Sequence, residues 1–351
     1  MKTTRFLYFL LLCCCVALQT PIHAQDVHFS QNYATPLLIN PAMTGLINGD
    51  LRVSAIYRNQ WASVMPRTSF QTISASADMA FPGFMENDRL SAGLVVYNDR
   101  AGDLNWTTNY ADAAFAYNLA LAPQSFLSLG VQGGINQRYF DLTNAQFGDQ
   151  ADGNGFNPAI PTNDFLEAQN RLRLHIGGGA LFFHALSARK NVFVGAAMYH
   201  LNKPNIAVTD AEDRFKNKLS AQAGGSIPIA KKWDLLPSIY FIWQGAQFKT
   251  DVGSFARYIF ATNRYTGYDK ALNMGVWLRA AANVNNPVGL NTLVLATKID
   301  YEQFSLGISY DITLFTPLMN ANNGRGGPEI TLIYTGRVRP VKPGAIQCPR
   351  F

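Results

Sequence analysis

The feature that most constrains this chain is an alternation of apolar and polar residues, repeated in segments of about ten residues between Gly49 and Gly336. Gly, Asn, Asp or Pro separates the segments. In the clearest one, residues 125–136, the two faces of a strand carry different residues: Leu127, Leu129, Val131 and Ile135 on one, and Ser128, Gly130, Gln132, Gly134 and Asn136 on the other. A period of two is the pattern of β-strands with one apolar and one polar face. The chain is therefore predicted to be all-β.

Composition favours a membrane protein among the all-β classes. Only 15% of the 351 residues are charged, against about 25% in a usual soluble domain. Mean hydropathy is −0.02, which excludes a helical transporter, because repeated apolar helices would raise it. A transmembrane β-barrel satisfies both values, since its lipid-facing and lumen-facing residues cancel in any average.

Fourteen alternating segments can be counted. They begin near Leu51, Phe70, Leu90, Trp106, Ser125, Leu172, Val192, Leu219, Trp233, Phe248, Leu272, Asn291, Phe304 and Glu329. An even number suits a single-chain bacterial barrel, so we predict a transmembrane antiparallel β-barrel of about 14 strands over residues 50–336. The alternative is a secreted β-sandwich. It is disfavoured because sandwich strands repeat every 8 to 12 residues, whereas these segments recur about every twenty.

Residues 1–25 have the regions of a secretory signal peptide: Lys2 and Arg5, an apolar run from Phe6 to Leu18, and Ala24. The run of 13 residues is too short to span a bilayer. Three cysteines, at 13 to 15, lie within it, which leaves Cys348 without an internal disulfide partner. A lipoprotein reading is disfavoured because Leu12 and other cysteines, rather than a small residue, precede these cysteines. Loss of two positive charges lowers the net charge from +6 to +4, which indicates no nucleic-acid partner.

Connection lengths and aromatic positions also fit a barrel. Short connections alternate with longer ones, as between the two ends of outer-membrane barrels, except around residues 245–248 and 262–270. Aromatic residues near segment ends are expected in interfacial girdles: Tyr57, Trp61, Tyr97, Trp106, Tyr139, Tyr199, Trp233, Trp243, Trp277, Tyr310 and Tyr334.

Both ends of the mature chain are predicted to lie outside the sheet. Residues 26–49 lack alternation and contain Pro36 and Pro41, so they either line the lumen or reach into the periplasm. Residues 337–351 form a tail with three prolines. The last strand is placed at Glu329 to Gly336.

The chain contains no motif for catalysis, so we predict no catalytic residue, no metal site, no cofactor and no enzyme activity. The dispersed histidines are expected to make ordinary hydrogen bonds: His28, His175, His184 and His200. Four arginines fall on the predicted inner face: Arg52, Arg58, Arg173 and Arg279. They either give the lumen a preference for anions or form ion pairs with the inner carboxylates Asp78, Asp112 and Asp311. Of these two interpretations, ion pairing is favoured.

Several short motifs follow one another in a recognisable order. The mature N-terminus contains His28-Phe29-Ser30-Gln31-Asn32-Tyr33, Asn40-Pro41-Ala42-Met43-Thr44-Gly45 and Tyr57-Arg58-Asn59-Gln60-Trp61. Ser309-Tyr310-Asp311, Gly327-Pro328-Glu329-Ile330 and a terminal Cys348-Pro349-Arg350-Phe351 occur near the other end. This set resembles the PorP/SprF family of type IX secretion system outer-membrane proteins, from residue 28 to the C-terminus.

The resemblance implies a 14-stranded barrel in the bacterial outer membrane that assists secretion or surface attachment of specific proteins. The implied partners are secreted surface proteins with type IX C-terminal sorting domains, periplasmic and peptidoglycan-linked secretion components, and outer-membrane lipid. The partner-binding candidates are the motif residues His28, Phe29, Gln31, Tyr33, Asn40, Pro41, Gly45, Tyr57, Arg58, Trp61, Cys348, Pro349 and Phe351.

Two alternatives stay open at this level. The N-terminal motif either docks a partner or plugs the lumen, and Cys348 either pairs with a partner thiol or has no role. A passive or selective solute porin is the alternative function, since it would show the same alternation and inward arginines.

Overall fold

The computed structural model describes residues 26–66, 68–85, 87–102, 104–140, 147–151, 155–157, 159–161, 171–205, 207, 213–263, 267–283, 286–314, 319–320 and 322–337. The predicted signal peptide and the tail beyond Arg337 lie outside these residues.

The described residues form fourteen antiparallel strands that close into a barrel, with each strand paired to its neighbours in sequence and β14 paired to β1. The predicted fold is confirmed. The strands are Leu51–Gln60 (β1), Phe70–Pro82 (β2), Arg89–Ala101 (β3), Trp106–Ala122 (β4), Ser125–Tyr139 (β5), Arg171–Ala185 (β6), Asn191–Tyr199 (β7), Lys218–Pro228 (β8), Trp233–Gln244 (β9), Gln247–Thr262 (β10), Asp269–Asn283 (β11), Asn286–Tyr301 (β12), Phe304–Thr313 (β13) and Arg325–Gly336 (β14).

The two faces of the wall differ as the alternation predicts. On β5, Val131 points outward and is 62% exposed, whereas Gln132 points inward and is 4% exposed. On β6, Leu174 is 69% exposed and His175 is 1% exposed. Closure leaves no unpaired sheet edge, so backbone polar groups are satisfied within the wall and the apolar outer face suits lipid.

The barrel has two distinct ends. One, which we call the turn end, holds the start of β1, the end of β14 and connections such as residues 123–124 and 302–303. The other, the loop end, holds the longer connections 140–170, 200–217 and 314–324. In outer-membrane barrels, short turns face the periplasm and long loops face outward.

Most strands begin within three residues of their predicted starts, but β12 begins at Asn286, five residues before the predicted Asn291. β14 begins at Arg325, four residues before the predicted Glu329. Pro328 is tolerated there because β1 pairs with β14 only as far as Glu329, so the proline stands at an edge position. Around residues 245–270 the connections depart from the pattern of short turns at the turn end and long loops at the loop end, but β9, β10 and β11 are regular strands. Gly245, with φ of 61°, allows a two-residue turn between β9 and β10 at the loop end.

The predicted aromatic girdle is partly wrong. Trp243 and Tyr57 point outward and are 52% and 41% exposed. Tyr97, Tyr199 and Trp277 are instead buried inside the barrel. Whether an aromatic side chain points outward or inward is decided not by its distance from the strand end but by its place in the alternation, because successive side chains of a strand point to opposite faces.

Helical structure in the described residues is limited to short turns, one of which is the α-helix Pro36–Ile39 (α1). No described helix is long and apolar enough to cross a membrane.

Candidate functional site

Residues 26–50 lie inside the barrel, and we call this segment the plug. It starts at the loop end and reaches β1 at the turn end. Every residue from 29 to 47 is buried. Pro36 and Pro41 each stand at the start of a helical turn, where a missing N–H costs nothing. The plug therefore crosses the lumen as a chain of turns rather than as a strand.

Asp26 anchors the plug at the loop end. Its Oδ2 lies 2.7 Å from His200 Nε2 and 3.0 Å from Lys218 Nζ. Its backbone N–H donates to Gln244 Oε1 at 2.9 Å. Burial alone would raise the pKa of Asp26, but His200 and Lys218 outweigh it and hold that pKa well below its usual range. The carboxylate is therefore charged and fully engaged.

Glu329 holds the plug where β14 meets β1. Its carboxylate accepts the backbone N–H groups of Ser30 at 2.8 Å and Gln31 at 2.9 Å. Arg58, the register partner of Glu329 on β1, lies 3.4 Å from it and donates to the carbonyl oxygen of His28 at 2.7 Å. Charge-assisted hydrogen bonds of this kind are stronger than neutral ones. Both strands of the closing seam therefore bind the plug.

A second layer of charges surrounds this contact. Arg279 reaches Asp251 at 2.7 Å, Asp311 at 2.9 Å and the Ser30 hydroxyl at 2.7 Å. Lys249 lies 2.8 Å from Asp251. Arg58 and Arg279 are thus paired with carboxylates, as is Arg52 with Asp78 at 2.8 Å. Of the two sequence-based interpretations of the inner arginines, pairing holds for these three.

The Asn40-Pro41-Ala42 turn sits in a recess made by glycines of the wall. The Asn40 amide donates to the carbonyl oxygens of Ala180 at 3.0 Å and Ala196 at 3.2 Å, on β6 and β7. A Cβ added at Gly130 would overlap the backbone of Pro41 and Ala42, and one at Gly179 would overlap the Asn40 side chain. The recess exists because these positions lack side chains.

Gly45 lies in the last turn of the plug, at the turn end. Its φ of 70° suits glycine, and its N–H donates to Asp78 Oδ2 at 2.7 Å. The same carboxylate binds Arg52, which also donates to the Met43 carbonyl oxygen at 3.2 Å. A wall ion pair therefore fixes the last turn of the plug.

The structure brings together most of the partner-binding candidates, but inside the lumen. Phe29, Gln31, Tyr33, Asn40, Pro41 and Gly45 are buried plug residues, His28 is half-buried, and Arg58 contacts them from the wall. Tyr57 lies apart, on the outer face, and Trp61 packs edge-on against Phe70 at the loop end. Cys348, Pro349 and Phe351 lie outside the described residues.

Two cavities border the plug at opposite ends of the lumen. The loop-end cavity has a volume of about 290 Å³ and lies between the start of the plug and strands β1 to β5. The turn-end cavity has about 130 Å³ and is lined by charged residues that include Arg257, Asp269 and Lys298. Each cavity is bounded by the plug.

Sequence reasoning missed the residues that anchor the plug and line its cavities. The sequence assigns Glu329 to a strand without indicating a role, and nothing in it singles out Asp26, Lys218 or Arg138. Their inward parity was a usable signal for Lys218 and Arg138. The expected ordinary contacts are seen for three histidines: His175 with Asp112 at 2.9 Å, His184 with Ser125 at 2.9 Å and His200 with Asp26.

Within the part of the chain that the structure describes, no group of three or more His, Cys, Asp or Glu side chains could hold a metal ion. The buried carboxylates described above are engaged by arginine, lysine, histidine or plug N–H groups. The arrangement therefore binds the polar groups of the plug through charged side chains of the wall.

Comparison with known proteins gives the fold and the family. Two solved barrels are similar in structure: a TodX monoaromatic hydrocarbon channel deltaS2 mutant, with 10% identity and a TM-score of 0.51, and the toluene transporter TbuX of Ralstonia pickettii, with 8% identity and a TM-score of 0.50. Each similarity covers 87% of this chain and 94% of the other. At such identities only the fold is shared.

No curated protein matches the chain significantly in sequence. The family described as type IX secretion system membrane protein PorP/SprF matches residues 22–334. That match includes the whole plug and nearly the whole barrel, and the fold is that of an outer-membrane protein. This chain is therefore a member of the PorP/SprF family, an outer-membrane β-barrel of the type IX secretion system.

Proposed function

We propose that this barrel is an accessory subunit that docks specific secreted proteins at its loop end and periplasmic secretion components at its turn end. The clients would be surface proteins with type IX C-terminal sorting domains. The observation that carries the proposal is the plug, which is held at Asp26, Glu329 and Asp78 by charged contacts. A lumen crossed by an anchored plug suits a docking platform better than a conduit.

The plug residues among the partner-binding candidates would act indirectly in this proposal. Phe29, Gln31 and Asn40 contact the wall and the rest of the plug, so they would shape the two cavities rather than touch a client. Direct contact would fall to residues at the ends, such as Trp61 and the segment that contains Cys348, Pro349 and Phe351. Arg337, the last described residue, lies at the turn end and donates to Asn48 Oδ1 at 3.0 Å, beside the end of the plug.

A porin is the alternative. The similar solved barrels are named as channels or transporters of aromatic hydrocarbons, and this chain shares their architecture. Planar-bilayer conductance of the purified full chain separates the two functions. We expect no steady conductance, because the plug residues 29 to 47 are buried against the wall. Steady ion conductance by the unmodified protein would favour the porin.

The direct test is proteomics of the cell surface, medium and periplasm of a deletion strain against its parent. We expect one or more large proteins with type IX sorting domains to leave the surface and accumulate in the periplasm. Unchanged export with reduced uptake of small solutes would overturn the proposal.

A second arm tests the turn end. Removal of residues 338–351 should leave the barrel inserted, with normal heat-modifiable mobility in gels, while capture of periplasmic secretion components is lost. Loss of insertion would assign the tail to folding instead.

A further inference from the structure

The loop-end cavity is built from the last inward residues of β1, β3 and β5 and the first inward residues of β2 and β4, so it opens toward the long loops. Its volume of about 290 Å³ is close to the lower limit of ligand pockets, about 300 Å³. The first residues of the plug form its floor. The cavity therefore lies on the loop-end side of the plug.

Arg138, near the end of β5, lines the cavity and is 5% exposed. Its guanidinium lies 4.5 Å from the centre of the Phe215 ring, which covers one face. Among the described residues, no carboxylate reaches Arg138 within ion-pair distance, and its buried Nε has no hydrogen-bond partner. Asp99, which lines the same cavity, acts on Arg138 electrostatically but lies beyond ion-pair distance. A buried cation without a directly bonded anion is costly, so such a group signals a ligand that supplies one.

The other charged groups near the cavity are already occupied. Asp26 is bound by His200 and Lys218, and Arg58 lies between Glu329 and Asp311. Burial and the neighbouring Lys249, Arg58 and Arg279 lower the pKa of His28, which is therefore neutral at pH 7. Asp99 accepts the Thr72 hydroxyl at 2.6 Å. Within the described part of the cavity, Arg138 is the cation left for a ligand.

The remaining lining indicates what kind of molecule carries the anion. Three aromatic side chains, Phe70, Tyr97 and Trp106, form the walls, and Trp106 is stacked on Phe140 at 5.7 Å. Aromatic walls suit apolar side chains, and the Asp99 carboxylate can accept the N–H groups of a backbone. A free inorganic anion would use none of these features. An extended polypeptide with a carboxylate would use all of them.

We propose that the loop-end cavity binds a carboxylate-bearing polypeptide segment of the secreted client, with the carboxylate on the Arg138 guanidinium and an adjacent apolar side chain against Trp106. This inference rests on the proposed function, since it names the chemistry of the docked segment. The carboxylate can be a C-terminus or an acidic side chain, and both have the same planar, bidentate fit to guanidinium.

The binding test uses the full chain in detergent and the fluorescence of Trp106, identified by subtraction of a Trp106→Phe variant. The probes are a short apolar peptide ending in glutamate, the same peptide amidated at its C-terminus, the same peptide with glutamine in place of glutamate, and acetate. We expect saturable binding of the acidic peptide. Loss on amidation would identify the terminal carboxylate, and loss with glutamine the side chain.

Arg138→Gln should weaken binding of the acidic peptide tenfold or more, the effect of losing a charge-assisted hydrogen bond. Arg138→Lys should restore part of it, because the charge returns without the bidentate geometry. The matched control is Arg100→Gln, since Arg100 is exposed on β3 at the same end of the barrel. Folding of each variant is checked by heat-modifiable mobility in gels.

Three results would overturn the inference: acidic-peptide binding that Arg138→Gln leaves intact, an equal effect of Arg100→Gln, or acetate binding as tightly as the peptide, which would mean a site for small anions. In cells, Arg138→Gln should displace the client from the surface. Normal display in this variant, beside lost display in the deletion strain, refutes the inference and keeps the proposed function. Normal display in both refutes the proposed function.

Discussion

Replacement of Gly130 by alanine is the sharpest perturbation of the plug. The three atoms nearest to an added Cβ all belong to the plug backbone, at Pro41 and Ala42, so the new methyl group disturbs the plug and not the neighbouring strands. Overlap of this kind costs about 1–3 kcal/mol in a packed interior.

The plug can escape the overlap by leaving the recess. That movement breaks the hydrogen bonds from the Asn40 amide to Ala180 and Ala196, and the 2.6 Å bond from the Ser128 hydroxyl to the Ala42 carbonyl oxygen. At about 1 kcal/mol each, their loss totals about 3 kcal/mol. The free energy that holds the plug in place should therefore fall by about 1–3 kcal/mol. The displaced population should rise about 5-fold to 150-fold.

Hydrogen exchange of residues 40–47 and planar-bilayer conductance measure this change. Gly130→Ala should exchange faster and show transient openings. Gly133→Ala is the control, because Gly133 lies on the same strand and an added Cβ would meet its nearest atoms, at His175 and Ile176, at an ordinary 3.6 Å. If the two variants behave alike, the recess does not hold the plug and the reasoning is wrong.

Two further variants test the other anchors. Glu329→Gln replaces one acceptor oxygen by an amide NH₂, so the backbone N–H groups of Ser30 and Gln31 should exchange their hydrogens with solvent about tenfold faster or more. The control is Glu302→Gln, in the turn between β12 and β13, which should leave these exchange rates unchanged. Equal rates in the two variants would show that Glu329 does not anchor the plug. Gly45→Ala should unfold at a lower temperature than Gly102→Ala, as measured by heat-modifiable mobility in gels. Both glycines have φ of 70°, but only a Cβ at residue 45 overlaps a neighbour, which costs about 1–3 kcal/mol of stability. Equal unfolding midpoints of the two variants would contradict this reasoning.

The wall of the barrel was predictable because each of its residues is decided locally. Strand parity places Gln132 and His175 inside and Leu174 outside without knowledge of any partner strand. Twelve of the fourteen strand starts follow to within three residues for the same reason. The start of β14 was harder, since Pro328 argues for a break and is tolerated only because β1 stops pairing at Glu329.

The interior was not predictable in detail, because its contacts join residues far apart in sequence. Glu329 binds Ser30 across almost the whole chain, and no spacing rule links them. Arg138 shows the same limit. Its inward parity can be derived, but its stacking on Phe215 and the unpartnered state of its Nε depend on residues far apart in sequence.

The contact of the plug with both strands of the seam has a consequence for biogenesis. Ser30 and Gln31 are synthesised early, yet they bind a carboxylate on the last strand to be made. A slip of one residue in the pairing of β1 with β14 would turn Glu329 toward lipid and leave those N–H groups without it. Barrel closure in the correct register and binding of the plug are therefore coupled, so the first residues of the mature chain select the register of its last strand during assembly.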